Sequence, residues 1–189
     1  MNLSNPDPGL EYRRREEHLK MSEISIWLDG YDDIFSDFDP RPYSERVLSD
    51  DFLKEAQKVS DEKFPATHEL NLLVPRAGRE TKTEKIIRKR LKLYFRARLD
   101  LARKDLLRMR LKGLMLVGIA IVILTVATLV SLIEEKNLAA HMFLVLLEPA
   151  GWFTIWNGFD ELFFAPAKKK PTLEFYRKMA RCNIVFVSY

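Results

Sequence analysis

The chain has one cysteine, Cys182, among 189 residues. An internal disulfide and any paired-cysteine metal or redox site are therefore excluded. Its three histidines, His18, His68 and His141, are scattered, with no carboxylate at metal-ligand spacing. No Gly-rich phosphate loop, no nucleophile elbow and no zinc-protease motif occurs, so neither a cofactor nor an enzymatic activity is expected. The first twenty residues have no apolar run, so a cleavable signal peptide is not expected; Met1–Lys20 is polar and read as a disordered tail.

Charge is present but unevenly placed. Gly113–Ile133 contains no ionisable residue over 21 positions. As a helix it would rise about 31 Å, matching a hydrocarbon core of roughly 30 Å. A second apolar stretch, Leu138–Phe159, follows after the short loop Glu134–Asn137. It is less pure, holding His141, Glu148, Pro149 and Asn157, but a chain that enters a bilayer must stop or return, and the loop suits a tight helical hairpin.

Lys and Arg crowd the outer flanks of these segments. Arg96, Arg98, Arg103, Lys104, Arg108, Arg110 and Lys112 precede the first, and Lys168, Lys169 and Lys170 follow the second. Only Lys136 lies between them. The positive-inside rule then places both termini in the cytoplasm, in the inner (plasma) membrane. The residues nearest the bilayer (Arg103, Lys104, Arg108, Arg110, Lys112 and Lys168–Lys170) are candidates for contact with anionic headgroups or with acidic parts of the chain itself. Nucleic acid is not an expected partner, because topology already accounts for these cations.

From Thr81 to Lys112 nothing breaks a helix. Thr81 and Glu84 are spaced as a capping box, and Ile87, Leu91, Phe95, Ala102, Leu106 and Met109 form an apolar stripe. Running on into Ile133, this helix would make a rod of about 75 Å. Residues 80–112 carry a net +9 and residues 1–79 a net −6, which predicts that the acidic segment, with Asp29, Asp32, Asp33, Asp37 and Asp39, docks near Lys89 and Arg96. The acidic loop departs from the calcium-loop pattern, with Pro40 where a bidentate Glu belongs. Three alternating runs, Ile24–Leu28, Glu69–Val74 and Asn183–Tyr189, read as strands. Helices are expected over Asp50–Val59, with Ser49 as its cap, and over Leu173–Arg181.

The expected fold class is an α+β membrane protein: a transmembrane helical hairpin (113–133 and 138–159), a long basic cytoplasmic helix (81–112) and a small three-stranded sheet. The sheet would be built from the α+β segment 21–80 and completed by the helix and strand of 165–189.

Within the second apolar segment Glu148 stands near the bilayer midplane, where an ionised carboxylate is costly. A neutral Glu148 bonded to a carbonyl or to Thr125 is the expectation, and ion or proton handling, with His141 on the same face, is the rival. Gly151, Thr154 and Gly158 make a small-residue face suited to close helix contact. The expected partners are the bilayer and a second copy or another membrane protein.

Two stretches carry a likeness. Phe38-Asp39-Pro40-Arg41-Pro42-Tyr43-Ser44-Glu45-Arg46, continued by Leu48–Leu53, and Gly151-Trp152 with Ile155-Trp156, resemble a group of small bacterial two-pass membrane proteins of unknown function. The resemblance covers most of the chain after Met21. It implies the architecture and brings no activity, ligand or catalytic residue. The function expected is non-enzymatic: a membrane-anchored interaction module acting as scaffold or assembly subunit. The alternative is a subunit of an oligomeric channel or transporter that uses Glu148.

Overall fold

The computed structural model describes residues 24–62, 69–132 and 138–189. The tail 1–20, the loop Glu134–Asn137 with Lys136, the end of the first apolar segment at Ile133, His18 and His68 lie outside them. The described chain is mostly helical, with one small parallel sheet and two long apolar helices. It divides into two compact units, residues 1–99 with 174–189 and residues 100–173.

The first unit is an α/β module. Strands β1 (Ile24–Trp27), β2 (Glu69–Val74) and β3 (Asn183–Ser188) lie in the order β1-β2-β3, all parallel. Parallel pairing requires crossovers. Helix α1 (Asp50–Glu62) makes the first. The second is the whole of α2 (Thr81–Ser131), α3 (Leu138–Phe159), a π-helical turn (Asp160–Phe164) and α4 (Ala165–Arg181). The sequence left the direction of pairing open, and the answer makes the apolar segments an insertion within a crossover connection.

One face of the sheet forms the core. Ile26, Leu70, Leu72, Ile184 and Phe186 meet Phe52 and Ala56 of α1, Ile87, Leu91 and Phe95 of α2, and Phe175 and Met179 of α4. Phe95 and Phe175 meet edge to face at 6.2 Å. The apolar stripe of α2 is fully buried at Ile87, Leu91 and Phe95 and closes at Leu99; Ala102, Leu106 and Met109 are only half-buried. Ser49 accepts from the Leu53 amide through its backbone carbonyl, and α1 runs three residues past Val59. A larger difference concerns the last helix. It begins at Ala165, not Leu173: the backbone stays helical on both sides of the π-helical turn, so the helix runs on unbroken from Leu138 to Arg181 and carries Pro171 inside it, whereas the sequence suggests a new start after the prolines.

The second unit is a helical hairpin. Gly113, Ala120 and Ala127 of α2, every seventh residue, are buried, as are Ala140, Leu144, Gly151 and Gly158 of α3. A Cβ at Gly158 would lie 3.0 Å from the Val117 amide nitrogen and 3.2 Å from the Gly113 carbonyl. Only glycine allows backbones so near. Helix α3 continues through Pro149 without a break.

Candidate functional site

The long polar loop of the module is tied within itself. Asp33 caps its own turn by accepting from the amides of Asp29 (2.7 Å) and Gly30 (3.1 Å). Asp39 accepts from the Arg41 guanidinium and from the Val47 amide at 2.7 Å, which holds its carboxyl well below the usual carboxylate range. Asp32 accepts from Arg46 and from the Tyr43 hydroxyl, and the Arg46 guanidinium lies 5.9 Å from the Phe35 ring centre. Asp29 and Asp37 are exposed.

The predicted docking of these acids on Lys89 and Arg96 is not what ties the loop to α2. Arg90 does so, donating to the carbonyls of Arg46 (3.1 Å) and Glu45 (3.2 Å). A short-range arginine fork reaches backbone acceptors more closely than dispersed charges reach one another. The periodic charge pattern held no signal for this.

Glu84 also departs from its predicted role. Its side chain turns inward, 4% exposed, and accepts from Arg79 at 2.7 and 3.1 Å and from the Tyr31 hydroxyl at 3.1 Å. Tyr31 in turn accepts from the Glu80 amide, and Thr83 donates to the Glu80 carboxylate. Thr81 is already helical, so Glu80 takes the capping position and Glu84 is released to pair with Arg79. That pairing lowers the Glu84 pKa. The Cys182 thiol is buried, donates to the Met179 carbonyl at 3.1 Å, and is pushed up to about 11 by burial. A thiol in that state is a poor nucleophile. Among the described residues no group of three His, Cys, Asp or Glu side chains is placed to hold a metal ion.

In the hairpin, Gly151 and Gly158 lie at the helix contact, and Thr154 donates to the Ala150 carbonyl on its own helix. Glu148 and His141 are exposed, off the buried face of α3. The structure does not bring Glu148 and Thr125 together: Thr125 is exposed and donates to the Ile121 carbonyl, 2.8 Å away on its own helix. Among the described residues the Glu148 carboxyl has no ion-pair or hydrogen-bond partner.

The basic residues separate into two sets. Arg103 pairs with Asp100 (3.7 Å), Arg108 with Asp105 (3.8 Å), and Lys112 with Glu161 at 2.6 Å. The last links α2 to the π-helical turn, and it was legible only as two opposite charges at matching ends of the apolar segments. Lys104, Arg110, Lys168, Lys169 and Lys170 have no acidic partner among the described residues. Arg110 and Lys170 converge on one recess of about 410 Å³. Compared with protein-family models, curated proteins and solved structures, the chain matches none.

Proposed function

We propose that the chain is a two-pass integral protein of the bacterial inner membrane, in which the α2–α3 hairpin anchors a cytoplasmic α/β interaction module. On this reading it is a non-enzymatic scaffold or assembly subunit, and both termini face the cytoplasm. One observation carries it. The most apolar windows of the two long helices are only 17% and 11% buried, whereas a core helix of a soluble protein is mostly covered. Leu146, Phe153 and Trp156 are more than 60% exposed. An apolar surface of that extent is stable in hydrocarbon and costly in water. The likeness of the Phe38–Arg46 and Gly151–Trp156 stretches to small bacterial two-pass proteins belongs to the same proposal.

Washing membranes at alkaline pH should leave the protein in the pellet. Reporters fused after Lys20 and at the C-terminus should both read as cytoplasmic, and one at Lys136 as external. Release by the wash, or an external C-terminus, would sink the reading.

A second reading is favoured by Glu148 alone. A carboxyl on the exposed flank of a span needs a polar neighbour from another helix, so the chain would be a subunit of an oligomeric channel or transporter. A ring of subunits in detergent supports that reading, and a monomer or dimer, with too few helices to enclose a path, opposes it.

A further inference from the structure

We propose that the recess between Arg110 and Lys170 holds one anionic glycerophospholipid, its phosphate between the two cations and an acyl chain on the apolar wall below. The inference rests on the hairpin being in a bilayer and adds to it a defined lipid site. Arg110 and Leu114 of α2 face Leu162 and Phe163 of the π-helical turn and Pro166 and Lys170 of α4. The volume, about 410 Å³, falls within the range of small-molecule pockets, about 300–1,000 Å³. One end of this lining is cationic and the rest is apolar, which is the polarity of a lipid entering from its headgroup side.

Three further features select this recess from the other basic residues. Arg110 stands three positions before Gly113, where the charge-free segment begins, so it occupies the depth of phosphate groups. Lys112 beside it is neutralised by Glu161, and Arg103 and Arg108 are paired along α2; of the cations without an acidic partner among the described residues, only Arg110 and Lys170 line the recess, Lys104, Lys168 and Lys169 lying outside it. Finally, the π-helical turn Asp160–Phe164 holds one residue more than an α-turn would. One extra residue rotates everything after it by roughly 100° about the helix axis, and that rotation sets where Lys170 points. Arginine supplies a planar fork to two phosphate oxygens, and lysine a point charge to a third.

The test uses the full-length protein purified from vesicles of phosphatidylcholine with a minority of phosphatidylglycerol, with retained lipid counted by native mass spectrometry. Wild type should retain one phosphatidylglycerol. Arg110→Gln with Lys170→Gln should retain about thirtyfold less, since each cation near an anionic surface contributes a factor of about five. Lys168→Gln with Lys169→Gln removes the same charge outside the recess and should behave as wild type. The charge-preserving pair Arg110→Lys with Lys170→Arg should keep most of the lipid, which separates lost binding from lost folding. Equal loss in both glutamine pairs would reduce the effect to bulk surface charge and overturn the site. Displacement of the lipid by inorganic phosphate would show that the headgroup alone is read and overturn it as well. Release of the protein from membranes by alkaline wash would instead overturn the membrane reading, so the two failures are distinguishable.

Discussion

Glu84 is the one carboxylate buried in the module among the described residues, and its partners Arg79 and Tyr31 come from outside the helix that carries it. The Arg79 bond depresses its folded-state pKa below the ordinary value of about 4.5. The stability it adds is therefore fully present above that value and is lost as pH falls through the folded-state pKa. Glu84→Gln should lower stability by about 2 kcal/mol at neutral pH, the scale of a hydrogen bond to a charged group. It should also flatten the acid limb of the unfolding curve, and urea titrations at neutral and acid pH read both effects. An unchanged acid limb would mean that another carboxylate governs it. The sequence showed Glu84 plainly but assigned it to a capping box, because spacing reports which backbone a side chain can reach and says nothing of an arginine five residues earlier. Glu148 is the opposite case, prominent in the sequence and without a bonded partner among the described residues. If it is structural, Glu148→Gln should leave growth and pH-gradient decay at wild-type levels, because the amide keeps its size and bonding. If it carries protons, Gln should abolish function with assembly intact, since an amide does not titrate.

At the level of elements, the loop between β1 and α1 is a clasp with three fasteners: Asp39 on Val47 and Arg41, Asp32 on Arg46, and Arg90 on two carbonyls. Asp39→Ala frees the Val47 amide and the Arg41 guanidinium together. Limited trypsin digestion should then cut after Arg46 several times faster, the Arg41–Pro42 bond being resistant to trypsin in either form, whereas Asp37→Ala, with an exposed side chain and no such bonds, should change nothing. The hairpin seam makes a second prediction. A methyl at Gly158 meets the Val117 side chain at 2.7 Å and the backbone of Val117 and Gly113 at 3.0 and 3.2 Å, while one at Gly151 meets side chains alone, Leu124 at 2.6 and 2.8 Å and Ile123 at 3.2 Å. Backbone cannot yield as a rotamer can, so Gly158→Ala should weaken helix pairing by about 1–3 kcal/mol and Gly151→Ala by less. Cysteine cross-linking across the seam in a Cys182→Ser background measures the difference. Composition marked Gly151 and Gly158 as contact residues, while Gly113 read as the mere start of an apolar run. The π-helical turn left no mark at all, because Asp160–Phe164 has ordinary helical composition and its extra residue depends on packing.

For the molecule as a whole, the module is discontinuous: β3 and the core residues Phe175 and Met179 arrive only after the hairpin. Residues 1–99 alone lack the edge strand that pairs along all six residues of β2, so they should be aggregated or unfolded by circular dichroism. The same fragment joined to residues 174–189 through a flexible linker should recover a cooperative transition. A folded fragment without them would show that two strands suffice. The three strands were readable from alternation, but their parallel order was not, because nothing local to Asn183–Ser188 names a partner 114 residues earlier.

That order has a consequence in time. A ribosome adding about 5–20 residues each second needs several seconds to pass from β2 to β3. Throughout that interval the edge of β2 that will receive β3 has no mate, and both greasy helices leave the exit tunnel before β3 does. On the proposed topology, a nascent chain whose second helix failed to cross would strand its last six-residue segment on the far side of the lipid, where it can never rejoin the sheet. The module would then stay open to proteases. On that topology, completion of the fold would certify that the membrane was threaded correctly, and quality control would need only to recognise an unfinished sheet.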